Sequence, residues 1–270
     1  MKTQSNRSPK GPLVKHVYGR LRAWIDSAQA KKLFVNYESF LKALVEKDVG
    51  SIVLKTRNGL SLTIRQNIWD ARIIKETFIH KPYVRYFKFH GHPTIVDIGG
   101  YIGDFSIYAV KYLNADKVIV YEPTTENFNI LKQNIANNAY ENKIKAVAKA
   151  VSNSKELILN VDIQGSEEVH VSAYLYPAAE PRKIPSVTLS DILAEHQLDS
   201  VDLLKVDCEG GEYDIFPNVT DATYSRIRNI VFEYHRVDGF KDKLELVLKR
   251  LRSAGYTLRL DGGIAYAYRA

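Results

Sequence analysis

A strand, a tight glycine turn and the start of a helix can be read from Thr94-Ile-Val-Asp97-Ile-Gly99-Gly100-Tyr101-Ile-Gly103-Asp104-Phe-Ser106. In open α/β sheets, ligands bind beyond the carboxyl end of a strand, where glycines let them approach the backbone closely. If Gly99 is aligned with the second glycine of a dinucleotide fingerprint, Asp97 takes the place of the first glycine and Ile102 that of the third, and a carboxylate at the first position would repel a pyrophosphate. The stretch also lacks the Gly-Lys-Ser/Thr of a phosphate-binding loop. It therefore favours a ligand with a positively charged end.

A second acidic position is Glu122, which closes the next predicted strand. At this place an acidic side chain can accept hydrogen bonds from both hydroxyls of a ribose. Glu122 could instead cap a Glu-Pro turn, and Asp97 alone could simply fix its own turn. Taken together, the two carboxylates predict S-adenosyl-L-methionine, which has a ribose and an ammonium group. The residues predicted to bind it are Asp97, Gly99, Gly100, Tyr101, Gly103, Asp104, Glu122, Pro123 and Val151.

Strand-like and helix-like segments alternate beyond Pro93. β-Branched runs occupy residues 94–98, 117–121, 145–151, 201–206 and 229–232, with helical patterns between them. Such alternation requires right-handed crossovers, and hence a parallel sheet with helices on both faces. Two final runs, Tyr256–Leu260 and Ile264–Tyr268, flank a Gly-Gly turn and predict a hairpin. We predict a doubly wound, Rossmann-like α/β fold with a mostly parallel seven-stranded sheet and an antiparallel C-terminal hairpin.

The first third of the chain predicts an N-terminal extension of helices and a hairpin. Alternating apolar residues on either side of Asn58-Gly59 indicate two paired strands, since this dipeptide accepts a tight turn. Trp69 to Ile79 then indicates a short helix that ends before Pro82. We therefore divide the chain into a basic helical extension (1–48), a hairpin-and-helix appendage (49–93) and a cofactor-binding domain (94–270).

The formal net charge of +7 is concentrated near the N-terminus. Eight basic residues precede residue 33, and Asp26 is the one acidic residue among them. A basic tail on a neutral body predicts a partner-facing segment rather than a nucleic-acid groove, so we do not expect a nucleic-acid partner. Helical spacing in this tail relates Val17, Leu21, Trp24 and Ala28. The resulting amphipathic helix could pack on the body or touch an anionic membrane surface.

Cysteine usage and hydropathy address the compartment. The single cysteine, Cys208, excludes a disulfide framework and a cysteine-rich zinc site. No apolar run approaches the roughly 18 residues of a membrane span, and no signal-peptide core follows the first charges. We therefore expect a cytoplasmic protein; these features do not determine its oligomeric state.

Several motifs resemble the FkbM family of class I S-adenosylmethionine-dependent methyltransferases. The glycine turn is similar to the family's first motif, and Tyr121-Glu122-Pro123 is similar to its second. More specific is Val201-Asp-Leu-Leu-Lys205-Val-Asp207-Cys208-Glu209-Gly210-Gly-Glu212, which carries the family's aspartate, any residue, then Glu-Gly. Ile230-Val-Phe-Glu233-Tyr-His235 resembles the family's fifth strand. The resemblance implies a methyl-donor cofactor and oxygen methylation, with sugars, glycolipids and natural products among the family's acceptors.

The loop after the fourth predicted strand indicates the type of methyl transfer. Methylation of a base amino group uses an Asn/Asp-Pro-Pro-aromatic loop here, whereas this chain has Asp207-Cys208-Glu209-Gly210. Methylation at cytosine carbon needs an activated cysteine, but flanking carboxylates raise the pKa of a thiol. We therefore interpret Cys208 as a small buried hydrophobe. A hydroxyl acceptor fits better, and it needs a base that takes its proton.

The candidate bases are Asp207, Glu209, Glu233 and His235. His235 titrates near neutrality and follows a strand end, so it is predicted as the base. Asp207 and Glu209 lie two residues apart on a segment read as extended, so they would share a face and orient the acceptor. Glu209 and Glu212 could instead only cap the following helix. We expect no resident metal ion, although Asp207 and Glu209 could hold a divalent cation.

The segment from Ile163 to Pro185 shows no clear period, so we predict a long loop that carries part of the acceptor pocket.

The predicted function is S-adenosylmethionine-dependent O-methylation of a small-molecule or carbohydrate acceptor, such as a sugar, glycolipid or natural product. Three alternatives remain open: an NAD(P)-dependent oxidoreductase, an RNA methyltransferase that uses the basic N-terminus, and a non-catalytic binding module.

Overall fold

The computed structural model describes residues 26–45, 50–154, 156–164, 168–172 and 180–269. Within them the strands are β1 Ser51–Lys55, β2 Ser61–Arg65, β3 Thr94–Ile98, β4 Lys117–Tyr121, β5 Ile144–Val147, β6 Ala150–Val151, β7 Glu156–Gln164, β8 Glu168–Ser172, β9 Glu180–Val187, β10 Val201–Val206, β11 Ile227–Glu233, β12 Thr257–Asp261 and β13 Ile264–Tyr268. The helices are α1, which contains residues 26–33, α2 Tyr37–Ala43, α3 Ile68–Lys75, α4 Asp104–Tyr112, α5 Thr125–Asn137, α6 Leu189–Glu195, α7 Glu212–Ile215, α8 Asp221–Ser225 and α9 Phe240–Ser253. A π-helical turn, Glu76–His80, directly follows α3.

The main sheet has seven strands in the order β12-β13-β11-β10-β3-β4-β5. β3, β4, β5, β10 and β11 run parallel, and β13 is antiparallel to both β11 and β12. Ile95, Val96 and Ile98 of β3 are all buried, because helices cover both faces of a parallel sheet. The predicted fold class, including the C-terminal hairpin, is confirmed.

Two apolar clusters cover the two faces of this sheet. One contains Phe34 and Leu131, and it joins α4 and α5 to the helices and hairpin of the N-terminal extension. The other contains Leu193 and Leu251 and lies beneath α6 to α9. The extension therefore shares its core with the seven-stranded sheet.

One buried amide ties the predicted hairpin to α5. The side chain of Asn134 accepts a hydrogen bond from the Thr63 amide (2.6 Å) and donates to the carbonyls of Thr63 and Ile102 (2.9 Å each). We expect Asn134→Ala to lower the free energy of unfolding by about 2 to 4 kcal/mol, because buried backbone groups lose their partners. Gln133→Ala is the matched control: this residue is exposed on the same helix and its replacement should cost less than about 1 kcal/mol. Denaturant unfolding of both variants checks the difference, and equal losses would contradict it.

Two predictions in the middle of the chain are wrong. The single strand predicted over 145–151 is two strands, and the second, β6, pairs with β9 instead of the main sheet. The predicted loop from Ile163 to Pro185 contains strand residues of β7, β8 and β9, which with β6 form a separate four-stranded sheet. The loop was predicted because Pro181 and Pro185 are unusual in a strand. Both lie in the part of β9 that pairs with β7 and not with β6, so the positions without an N–H group can lie on the side of β9 that has no neighbouring strand.

The predicted basic amphipathic helix lies mostly in residues 1–25, outside the described residues, so its packing or membrane contact stays a prediction. Among the helices that the structure does describe, none combines the length and apolar character needed to cross a membrane.

Candidate active site

A cavity of about 270 Å³ opens at the carboxyl ends of β3, β4, β10 and β11. This is the edge at which ligands of doubly wound sheets bind. Most residues predicted from the sequence line it: Gly99, Tyr101, Asp104, Glu122, Pro123, Val151, Asp207, Glu209 and His235. The structure therefore brings most of the predicted cofactor residues and all three predicted catalytic residues into one cavity.

Three predicted cofactor residues do not line the cavity: Asp97, Gly100 and Gly103. A side chain at Gly100 would overlap Val120, and one at Gly103 would press on Leu131. We therefore assign both glycines to packing of the turn, not to direct contact with a ligand.

The glycine turn is tight because β10 lies directly against it. Gly99 has a φ of +77°, and a Cβ there would lie 1.7 Å from the carbonyl oxygen of Asp207. The amides of Gly99 and Gly100 both donate to the Tyr121 carbonyl at 3.0 Å. Gly99 is thus required by the approach of two strands, and this approach sets Asp207 beside the turn.

Glu122 and Asn127 form the polar wall at the end of β4. Glu122 is buried and accepts hydrogen bonds from the amides of Tyr101 (2.9 Å) and Thr124 (3.0 Å). Asn127 is also buried, and its Oδ1 has no hydrogen-bond partner among the described residues. A buried acceptor without a donor is costly, so this wall suits a ligand that brings N–H or O–H groups.

Asp97 is fully buried behind the glycine turn. Its carboxylate accepts a hydrogen bond from the Ser106 hydroxyl (2.7 Å), and its Oδ1 lies 3.1 Å from Nζ of Lys205. Burial disfavours the charge on Lys205, but the carboxylates of Asp97, Asp207 and Asp104 outweigh this and raise its pKa. Lys205 Nζ also donates to the Gly99 carbonyl (2.8 Å). Asp97 therefore supports the turn through Lys205, and its expected direct contact with the cofactor is corrected to this indirect role.

Asp104 lies at the start of α4 and takes a different partner. Its Oδ2 accepts a 2.5 Å hydrogen bond from the Thr77 hydroxyl, on the π-helical turn. Burial raises the pKa of Asp104 to about 7, although Lys205 and the Thr77 bond act in the opposite direction. This contact joins the N-terminal extension to the helix that follows the glycine turn.

His235 is held between carboxylates on both sides of its ring. Nδ1 lies 3.3 Å from Oε1 of the fully buried Glu212, which also accepts the His235 backbone amide at 2.8 Å. Nε2 lies 3.5 Å from Glu209 and 3.8 Å from Asp207. Burial alone would lower the pKa of His235, but the Glu212 bond and these carboxylates raise it to about 10. In the free protein the ring therefore keeps its proton at neutral pH, which weakens the expectation that His235 is the base.

Glu209 is not on an extended segment, as the sequence suggested. Its φ is +51°, in the left-handed region that non-glycine residues rarely adopt. Glu212 is itself the first residue of α7, and its Oε2 accepts the amide of Gly210, two residues earlier, at 2.9 Å. The turn sends Glu209 into the cavity, where it still meets the side chain of His235. Strain of this kind persists where the surrounding structure imposes it, as it often does at functional sites.

Glu233 and Tyr83 line the cavity next to Asp207. Burial and the neighbouring Asp207 raise the pKa of Glu233 to about 8. Tyr83 donates its hydroxyl to Oδ2 of Asp207 at 2.8 Å, and burial raises the pKa of Tyr83. Asp207 is therefore fixed by Tyr83 on one side and faces His235 on the other.

Several cavity residues escaped sequence reasoning. Lys205 could have been noticed as a lone cation within an apolar strand. Six others come from the N-terminal extension, and no pattern near them signals a site: Asn67, Trp69, Ile73, Glu76, Thr77 and Tyr83. Four more come from the main domain: Asn127, Lys149, Ala150 and Leu157. The extension forms one wall of the cavity.

Comparison with known proteins gives the family. A family model described as the methyltransferase FkbM domain matches residues 97–258, more than half of the chain. This chain belongs to the FkbM methyltransferase family. The match begins at Asp97 and includes Glu122, the Asp207–Glu212 turn and His235, so the resemblance noted in the sequence is confirmed.

Two relatives and one solved structure illustrate the likeness. The methyltransferase is 26% identical over 234 residues to the 31-O-demethyl-FK506 methyltransferase FkbM of Streptomyces tacrolimicus, covering 76% of this chain and 88% of that protein. It is 26% identical over 187 residues to the methyltransferase sdnD of Sordaria araneosa, covering 58% and 72%. A solved methyltransferase FkbM from Methylobacillus flagellatus KT matches with a TM-score of 0.50 and 16% identity, covering 72% of this chain and 47% of that one. The chain thus spans about half of that solved structure, and this likeness shows the fold alone.

Proposed function

We propose that this methyltransferase transfers a methyl group from S-adenosyl-L-methionine to a hydroxyl of a sugar, glycolipid or small natural product. One observation carries the proposal. The cavity that contains the glycine turn and Glu122 also contains Asp207, Glu209, Glu233 and His235, so a methyl donor and a deprotonating group can meet there. A cytoplasmic location, expected from the sequence, is part of the same proposal.

The cofactor half of the cavity fits the donor. Asn127 Oδ1 is a buried acceptor that needs a donor, and adenine and ribose bring N–H and O–H groups. Glu122 and Pro123 would hold the ribose and adenine end, and Gly99 and Tyr101 would meet the methionine end. When bound, S-adenosylmethionine supplies an electrophilic methyl group on a positively charged sulfur. The protein's own residues must then orient the acceptor and take its proton.

The acceptor half favours a neutral, hydroxylated molecule. Its wall carries the carboxyl groups of Glu76, Asp207, Glu209 and Glu233, which can accept hydrogen bonds from hydroxyls and suit a phosphate-rich nucleic acid less well. Trp69 also lines the cavity and is 37% exposed, so it offers a flat apolar face to a ring-shaped acceptor. Oxygen as the methylated atom is in keeping with the relative whose name describes an O-demethylated acceptor.

Glu209 is the base that the contacts favour. The Nε2 atom of His235 faces Asp207 and Glu209, but Asp207 also accepts the Tyr83 hydroxyl and lies 3.9 Å from Lys205. The side chain of Glu209 is 40% exposed, against 19% for Asp207, so an acceptor can reach it more easily. Glu209 would accept the hydroxyl proton. His235 Nε2 lies 3.5 Å away and would stabilise the negative charge of the Glu209 carboxylate before the transfer.

Calorimetric titration with S-adenosylmethionine, NAD and NADP tests the proposal. We expect the protein to bind S-adenosylmethionine but neither NAD nor NADP. Glu122→Gln should weaken the binding of S-adenosylmethionine by roughly 10- to 100-fold, since a charge-assisted hydrogen bond is lost. Glu126→Gln is the control, because Glu126 lies four residues further along the chain in the first turn of α5, is exposed and does not line the cavity. Binding of NAD in place of S-adenosylmethionine would contradict the proposal, and so would unchanged affinity in a folded Glu122→Gln variant.

A further inference from the structure

We propose that Asp207, Glu233 and His235 bind one divalent metal ion in the acceptor half of the cavity. One ligand atom from each side chain, two carboxylate oxygens and one imidazole nitrogen, lies within 4.8 Å of the others. Bonds of about 2.0–2.2 Å to one ion would place neighbouring ligand atoms roughly 3 Å apart and opposite ones roughly 4 Å apart. A small inward shift of the side chains is therefore enough to complete the site.

The backbone holds two of these ligands side by side. β10 and β11 are adjacent parallel strands, and Val206 pairs with Phe232 at their carboxyl ends. The next residues along the two strands are Asp207 and Glu233, and His235 follows two positions later. A ligand set built at the ends of two central strands has little freedom to spread apart.

An outer carboxylate orients the histidine. Glu212 is fully buried, lies 3.3 Å from His235 Nδ1 and also accepts the backbone amides of His235 and Gly210. Histidines that bind metals nearly always give their second ring N–H to such a partner. This arrangement leaves His235 Nε2 facing the cavity as the metal-binding nitrogen.

The donor set indicates the class of ion. Two carboxylates and one imidazole suit a divalent cation of intermediate hardness such as Mn²⁺, whereas Ca²⁺ prefers six to eight oxygens. Three protein ligands leave coordination positions open to the cavity. The set differs from the Asp207 and Glu209 pair considered from the sequence, and it departs from the expectation of no resident metal.

The role of the ion rests on the proposed function, although its binding does not. An acceptor hydroxyl bound at an open position would lose its proton more readily, because a metal lowers the pKa of a coordinated O–H. The proton would pass to Glu209, which stands outside the ligand set and lies beside His235. The ion would thus orient the acceptor and activate it.

Titration of the chelator-treated full chain with Mn²⁺ alone, followed by electron paramagnetic resonance of the free ion, tests the site. We expect one site per chain. Glu212→Gln should weaken it by about 10- to 100-fold, as the loss of an outer partner does, and Asp207→Asn, Glu233→Gln or His235→Gln should weaken it further. A cooperative melting transition without metal shows that each variant is folded. Mn²⁺ should then raise the thermal midpoint of the wild type but not that of the three ligand variants.

Glu209→Gln is the matched control, because it removes one charge from the same cavity without removing a ligand. It should weaken Mn²⁺ binding by less than about tenfold. No stoichiometric site in the wild type, or equal losses for Glu209→Gln and Glu233→Gln, would overturn the proposal. A chain that binds S-adenosylmethionine but not Mn²⁺ would overturn the metal site alone, whereas one that binds Mn²⁺ but not S-adenosylmethionine would overturn the proposed function alone.

Discussion

Glu209→Gln is expected to lower turnover by roughly 10²- to 10⁴-fold, which is the usual contribution of a general base. Glutamine keeps the size and the polar end of the side chain, but it cannot take the acceptor's proton. Affinity for S-adenosylmethionine should hardly change, because the donor residues around Glu122 stay in place. The measurement is transfer of a labelled methyl group to whichever sugar, glycolipid or natural product the wild type methylates, with donor affinity measured in parallel.

The matched control for this prediction is Glu245→Gln, an exposed glutamate on α9 that does not line the cavity. It should leave turnover and donor affinity unchanged. If Glu209→Gln keeps its activity while His235→Ala loses it and still binds Mn²⁺, the histidine is the base, as the sequence alone suggested.

Replacing Asp97 is expected to have the largest effect on stability. Asp97→Leu would leave the buried ammonium of Lys205 without its partner at 3.1 Å, and breaking a buried pair from one side costs about 3 to 5 kcal/mol. The glycine turn should loosen as well, because Lys205 holds the Gly99 carbonyl. Donor affinity should therefore fall together with the free energy of unfolding, measured by denaturant titration. This replaces the simpler expectation that Asp97 contacts the donor directly.

A double variant separates charge pairing from packing. Adding Lys205→Met to Asp97→Leu removes the buried cation that has lost its nearest carboxylate, so the double variant should be more stable than Asp97→Leu alone. Asp116→Asn, at an exposed pair with Lys143, should leave the unfolding midpoint nearly unchanged and serves as the control. A folded Asp97→Leu variant with wild-type stability would contradict the buried-pair assignment.

The sequence by itself determined the fold class, the alternation of strands and helices along the chain, and the edge of the sheet at which the cavity opens. β-Branched runs, glycine turns and helical patterns are local features, because backbone geometry and near neighbours produce them. Gly99, Glu122 and Asp207 each follow a strand directly. The rule that strand ends share one edge was therefore enough to bring them together.

Only the tertiary structure decided which side chains meet within the site. Tyr83 reaches Asp207 across 124 positions of the chain, and Asp97 meets Lys205 across more than 100, so neither pair leaves a local pattern. The contact of Glu212 with His235 also joins distant residues, and the sequence suggested only a helix cap for Glu212. The prolines of β9 fit into a strand because β9 lacks a second neighbouring strand at their positions. The sequence likewise gave no sign that residues of the N-terminal extension line the cavity, as Trp69, Glu76 and Tyr83 do. Contacts between distant elements follow from how the layers pack, and packing depends on the whole chain at once.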